Sequence, residues 1–275
     1  MNITGPVPGI PDAEIRQVEA LPDHLPDGIR VGVNMQAGPG ALLVVMPGVA
    51  RYLVRDGKTI EVAVARDADP GAVAVYLHGS ARSALIHQRG ELPLHAATLV
   101  PPNGTSAIAF CGRSGIGKST LTAELSRRGW TLMADDSTRV SWDGHQPLAW
   151  PAREYIKLWR DACERLGIAP AIRMRHQMEK YLISVRVHDG PAPLSRIVEL
   201  SSDRAGIVHE IGGADRIALL SRNTFRPKQV RAMDRTAEHM RIISQIAGAV
   251  RCSRLGGARA VDPARLADAV ETMAP

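Results

Sequence analysis

Residues Gly112-Arg113-Ser114-Gly115-Ile116-Gly117-Lys118-Ser119-Thr120 form a glycine-rich run that closes on a lysine and two hydroxyls. The pattern G-x-x-x-x-G-K-[ST] is that of a phosphate-binding loop. Gly112 and Gly117 let the backbone turn so that its N–H groups converge on phosphate oxygens. Lys118 brings a mobile point charge to the β- and γ-phosphates. The Ser119 hydroxyl stands where a phosphate-bound Mg²⁺ takes an oxygen ligand. The helix that starts at the loop adds the positive end of its dipole. The expected ligand is ATP or another nucleoside triphosphate with Mg²⁺, cradled by residues 112–120.

Such a loop works with a carboxylate from a neighbouring strand. Ala134-Asp135-Asp136-Ser137 follows one helix later, at the end of the apolar run Thr131-Leu132-Met133-Ala134. Strand carboxyl ends are where α/β folds bind ligands. Adjacent carboxylates point in different directions and so divide two jobs. One holds Mg²⁺, and the other takes the proton from an attacking hydroxyl. A plain turn would also use Asp-Asp-Ser; the nearby phosphate loop favours catalysis.

The elements around these residues must position them. Thr105 to Cys111 is a short apolar run, read as a buried strand feeding the loop. Leu121 and Leu125 lie four apart on one face of the following helix, which Gly129 ends. Upstream, Leu92 to Val100 reads as a strand that forms a hairpin with the loop strand through Pro101-Pro102-Asn103-Gly104. Residues 72–88 read as a helix ended by Gly90, residues 155–166 as a helix ended by Gly167, and residues 229–250 as one long helix. Ile197 to Leu200 and Ile207 to Ile211 read as strands. Asp262 caps a short terminal helix that has Pro263 at its first position. Residues 1–30 read as a loose, proline-punctuated lead-in. Residues 29–65 read as a small antiparallel β unit, with Asp56-Gly57 as a hairpin turn. The expected architecture is α/β: a P-loop kinase core with a mixed central sheet over residues 69–275, behind a β-rich unit over residues 1–68.

The stretch from Gly112 through Asp136 resembles the core of HPr kinase/phosphorylase. That family joins a P-loop, a helix ending in a basic residue and glycine, a short strand, and Ala-Asp-Asp. Leu92-Pro93-Leu94-His95-Ala96 adds to the likeness, because the family places a histidine at the start of the hairpin before its loop. The likeness is closest to the HPr-kinase-like proteins found with peptide-modifying gene clusters, such as lasso peptide kinases. Lys157-Leu158-Trp159 and Arg222-Asn223-Thr224-Phe225-Arg226 are similar to that subgroup. The specific part covers about residues 70–160.

The resemblance implies a kinase that acts on a serine or threonine hydroxyl of a peptide or protein. Lys118 and the loop amides would hold phosphates, Ser119 and Asp135 would serve Mg²⁺, and Asp136 would be the general base. His95, which alone reads as a core histidine, would lie beside the Asp pair and orient it. Relatives assemble as rings, which implies a homo-oligomer. The Asn- and Gly-rich signature that follows the Asp pair in HPr kinases is absent, and Pro151 to Trp159 stands in its place. That departure weighs against HPr as substrate and against phosphorolysis, and leaves both open. The family's second metal carboxylate has no clear counterpart: Glu154 lies near its place but reads as a solvated glutamate at a helix start. Lys157, Arg222 and Arg226 are candidate contacts to phosphate or to an acidic substrate, whereas Glu179 and Lys180 read as a plain surface pair.

Composition bounds the alternatives. Apolar residues make up 45% of the chain, enough for an ordinary core, and the net charge of +6 suits an anionic ligand. No basic run is interleaved with aromatics, which argues against nucleic acid. No apolar stretch approaches the length needed to span a bilayer. The start lacks the charged-then-apolar order of a secretory signal. Three cysteines, Cys111, Cys163 and Cys252, form no paired motif, so a disulfide or zinc framework is not expected. A reducing cytoplasm follows as the expected setting. Two other readings use the same loop: a nucleotide-gated module that recruits a peptide without transfer, and a kinase for a small molecule.

Overall fold

The computed structural model describes residues 3–152, 155–170, 172–175, 178–203, 208–258 and 260–273. The chain is mixed α/β and forms two compact units, residues 1–93 with 225–242 and residues 94–224 with 243–275. Neither matches the segments expected from the sequence. The helical stretch Pro70–Gln88 belongs by contact with the strands that precede it: Val73, Leu77, Ala81, Leu85 and Ile86 pack against Leu42, Tyr52, Val54 and Ile60 in one apolar core.

The first unit holds a seven-stranded sheet. From edge to edge its strands are Gly5–Val7, Ile10–Gln17, Thr59–Val64, Ala50–Arg55, Ala41–Met46, Met35–Gly38 and Ile29–Gly32. The loose lead-in expected over residues 1–30 is therefore corrected. Ile10, Ala13 and Ile15 are buried, and Ile10–Gln17 pairs parallel to Thr59–Val64, while the other pairings are antiparallel. The Asp56-Gly57 turn has positive φ at both residues (57° and 63°), which fits the tight hairpin read from the sequence. Asp69 caps the helix Pro70–Tyr76 by accepting from the Gly71 N–H at 2.9 Å, with Pro70 at the first position. A π-turn at Leu77–Ala81 leads into the helix Arg82–Gln88. The long helix expected over 229–250 is two helices, Pro227–Ala232 and Thr236–Ala249. The chain turns between them, with Asp234 at a φ of 54°.

The second unit is built on a larger mixed sheet. Its centre is the strand Ala107–Cys111, flanked by Ala96–Val100 antiparallel and Ala192–Leu200 parallel. Thr131–Ala134 pairs on the far side of Ala96–Val100, and Arg251–Leu255 pairs parallel on the far side of Ala192–Leu200. Helices Lys118–Arg127 and Pro263–Glu271 pack over the sheet. Leu121, Leu125, Trp130, Leu266 and Val270 close over Ile108, Phe110 and Val198. The strand expected over residues 92–100 is interrupted at His95, giving Leu92–Leu94 and Ala96–Val100. The helix expected over 155–166 is in fact a strand, Tyr155–Trp159, followed by the helix Arg160–Leu166. Its alternation of buried Ile156 and Leu158 with less buried Tyr155, Lys157 and Trp159 has period two. This strand pairs with Met178–Ser184 and, through it, with Ile172–Arg175 in a small third sheet. Ile207 lies outside the described residues, and the strand expected there is Val208–Ile211.

One buried histidine in the first unit links the fold to pH. The Nε2 of His87 lies 3.0 Å from the Phe225 carbonyl, and the His239 ring stands 5.5 Å away. Burial, outweighing the bond to Phe225, pulls the His87 pKa down to about 4. His239 is shifted the same way by burial. The native imidazole stays neutral, while an unfolded chain takes up the proton below its ordinary value near 6.5. The stability held by neutral His87 is therefore full above pH 6.5 and drains away as pH falls toward 4. The loss is on the order of 3 kcal/mol over that window. Urea midpoints of the intact protein should fall through this range, and His87→Gln should flatten the slope. An unchanged slope in that variant would dismiss His87 as the source.

Candidate active site

The phosphate loop leaves the end of the buried strand Ala107–Cys111. Burial pushes the Cys111 thiol far up, so this cysteine is an inert core residue, as its place in the sequence suggested. The next residue, Gly112, has a φ of 133°, and a Cβ there would sit 2.7 Å from the Leu200 carbonyl oxygen. Only glycine fits. Gly117 has a φ of 111° and precedes the helix Lys118–Arg127, whose first turn has no side-chain cap. Its N-terminal N–H groups are thus left for an anion. Lys118 is buried, and its Nζ donates to the Gly112 carbonyl at 2.7 Å and the Arg113 carbonyl at 3.3 Å. Burial lowers its pKa, against an opposing pull from Asp136, Cys111 and Asp135.

Asp135 and Asp136 point to different partners. Asp135 turns inward: its Oδ1 accepts from the Ser119 hydroxyl at 3.2 Å, and its Oδ2 accepts from the Lys157 backbone N–H at 2.9 Å. Burial raises its pKa, with Lys157 pulling the other way. Asp136 has a φ of 75°, a left-handed conformation that Asp tolerates better than most residues. That turn aims its carboxylate elsewhere. Oδ2 lies 3.4 Å from Lys157 Nζ, and Oδ1 lies 3.8 Å from His95 Nδ1. Burial pushes the Asp136 carboxyl up, but Lys157, His95 and Lys180 together outweigh it. The net shift is downward, which keeps the group ionised.

These groups meet in one cavity of about 490 Å³, into which His95, Lys118, Ser119, Asp136, Lys157 and Lys180 project. The oxygen pair Ser119 and Asp135 suits a hard cation such as Mg²⁺. Among the described residues, no three His, Cys, Asp or Glu side chains gather as metal ligands. The protein would thus supply two oxygens and leave the rest to water and phosphate, which is how Mg²⁺ is commonly held. The uncapped helix start, the glycine cradle and the lysine resting on loop carbonyls fit a polyphosphate.

Sequence reading missed three features of the site. The strands Tyr155–Trp159 and Met178–Ser184 place Trp159 opposite Lys180 and Lys157 opposite Leu182, so that Lys157, Trp159 and Lys180 share the cavity face. Ile156, Leu158 and Tyr181 take the core face. Lys180 is therefore not half of a surface pair with Glu179, which instead pairs with Arg160 and Arg173. The period-two pattern was the signal available for this. Arg222 is held by both oxygens of Glu199, which Arg254 also contacts, and Arg226 stacks on Phe225 in the first unit. Glu154 lies outside the described residues.

The third feature is Asn223. Its side-chain oxygen accepts from the Gly112 N–H at 3.2 Å, and its backbone carbonyl accepts from the His95 N–H at 2.7 Å. Its Nδ2 donates to Leu219 at 2.9 Å. One buried amide residue thus fastens the start of the phosphate loop to the strand break that carries His95.

Comparison with known proteins gives partial likenesses. No family model matches the chain. A stretch of 57 residues is 46% identical to the phosphoenolpyruvate carboxykinase (ATP) of Rhodopseudomonas palustris strain TIE-1, covering 21% of this chain and 10% of that protein. The enzyme of the same name from Rhizobium leguminosarum bv. trifolii is 42% identical over 60 residues, 22% of this chain and 10% of its own length. The chain thus spans 10% of the length of these curated relatives. Among solved structures, the Hpr(Ser) kinase/phosphatase from Coxiella burnetii is similar over 42% of this chain and 75% of its own, at 18% identity and a TM-score of 0.28. Among the described residues, no helix is long and apolar enough to cross a membrane.

The Asn223 tether can be tested directly. Asn223→Ala leaves the buried Gly112 N–H unpaired, at a cost of about 1–3 kcal/mol. Urea unfolding should report that loss, and calorimetry with Mg-ADP should report weaker binding. If both match wild type, Asn223 does not hold the loop.

Proposed function

We propose that this protein is a Mg²⁺- and nucleoside-triphosphate-dependent kinase that transfers a phosphoryl group to a serine or threonine hydroxyl of a peptide or protein. The observation that carries this reading is the convergence of Lys118, Ser119 and an ionised Asp136 on a single cavity, with Asp135 bonded to the Ser119 hydroxyl. A nucleotide-binding module that only senses would have no use for a second, outward-turned carboxylate held by two basic side chains.

In this reading the loop N–H groups and Lys118 bind the β- and γ-phosphates. Ser119 and Asp135 hold the magnesium ion, which supplies charge neutralisation of the phosphate oxygens when bound. Asp136 receives the proton of the acceptor hydroxyl on a carboxylate oxygen. The hydroxyl oxygen forms the new bond to phosphorus, and the nucleoside diphosphate departs. Lys157 keeps Asp136 ionised, and His95 flanks its other oxygen. These are the needs of phosphoryl transfer, where positioning and charge count for more than covalent chemistry.

A peptide acceptor is supported by the first unit. The strand Ile29–Gly32 forms an edge of its sheet, and Ile29 and Val33 beside it are exposed by 57% and 91%. Such an edge can take an extended peptide as an added strand. The local likeness to ATP-dependent carboxykinases and the HPr-kinase pattern of the loop agree with a nucleotide-dependent phosphotransferase.

Asp136→Asn should lower transfer by about a hundredfold or more while Mg-nucleotide binding persists. Lys118→Ala should lose both. Transfer is read as a gain of one phosphate in the mass of candidate peptides, and binding by calorimetry. Full transfer by Asp136→Asn would sink the base assignment.

A further inference from the structure

The charges in the cavity can be matched against one another. Asp136 faces Lys157 at 3.4 Å, and Asp161 is paired with Arg165 at 3.6 Å. Lys118 already rests on the Gly112 and Arg113 carbonyls. Lys180 is left over. Among the described residues it has no carboxylate partner, and its ammonium lies 5.3 Å from the centre of the Trp159 ring.

The position of Lys180 is fixed by the pleat of the small sheet. It stands directly opposite Trp159 on the face that carries Lys157, and it lines the same cavity as the phosphate loop. Its charge is close enough to act on Asp135, Asp136 and Lys118. A half-exposed ring is a weak hold on an ammonium, worth about 0.5–1 kcal/mol. A charge-assisted bond to phosphate is worth about 1.5–3 kcal/mol. A polyphosphate in the cavity would therefore draw Lys180 off the ring.

We propose that Lys180 is a further catalytic residue of this site, contacting the terminal phosphate of the bound nucleoside triphosphate in addition to Lys118. The inference rests on the kinase reading above. With Lys118 and Lys180 lining the same cavity, the transferred phosphoryl group would be met by two cations. Its charge is then neutralised without an arginine from elsewhere.

A triphosphate has the group that Lys180 would touch, and a diphosphate lacks it. Affinities for the magnesium complexes of ADP and of a non-hydrolysable ATP analogue are measured by calorimetry on wild type, Lys180→Ala and Lys180→Arg. Lys180→Ala should lose about tenfold in triphosphate-over-diphosphate preference, with ADP affinity kept. Lys180→Arg should retain most of the preference, because it keeps the charge. A purely structural lysine would move both affinities together or neither. A wild-type preference in Lys180→Ala overturns the inference and leaves the kinase reading standing. Failure of the wild-type protein to bind either complex overturns the kinase reading itself.

Discussion

The site depends on one half-buried carboxylate with both oxygens engaged. Asp135 accepts from a side chain of the phosphate-loop helix on one side and from a backbone N–H of the small sheet on the other. Burying a charge is expensive unless its hydrogen bonds are made. These two bonds therefore fix how the loop helix, the end of the strand Thr131–Ala134 and the strand Tyr155–Trp159 meet. With Asp135 pointed inward, the next residue can reach the cavity only by reversing the backbone, and Asp136 does so at the cost of a positive φ. The different orientations of the two adjacent carboxylates follow from that constraint.

The electrostatics around the loop follow the same economy. Glu199, at the end of the strand beside the loop strand, holds Arg222 and Arg254. Burial would raise its pKa, but the bonds to both arginines reverse the shift, so it stays charged. The two guanidiniums are thereby committed to the sheet. Arg165 at the cavity is likewise paired, with Asp161, while Lys118, Lys157 and Lys180 bring compact charges on flexible stems that can follow a moving phosphate.

Local patterns in the sequence located the candidate site better than they described the scaffold. The loop, the Asp pair and their spacing were readable because each needs particular residue types at fixed intervals, and the structure brings Lys118, Ser119, Asp135, Asp136 and His95 together. Tyr155–Trp159 was misread as a helix because five residues carry too little periodicity against the helix that follows directly. That error hid the cavity face of the small sheet, and Lys180 with it. The strand Ile10–Gln17 was hidden by its neighbouring prolines and by a parallel partner some fifty residues away. Asn223 lay within a stretch marked only by its likeness to the kinase-like subgroup, which did not reveal its role. It acts through a contact spanning 111 residues, which spacing rules do not register.

The pleat of the strand Met178–Ser184 has an evolutionary corollary. Glu179, Lys180 and Tyr181 alternate between two environments of opposite demand, one wet and anion-seeking, the other packed or ion-paired. A slip of one residue in that ribbon would turn an acid toward the cavity and an ammonium toward the packed face. Drift by insertion or deletion should therefore be barred within this short segment even where single substitutions are harmless.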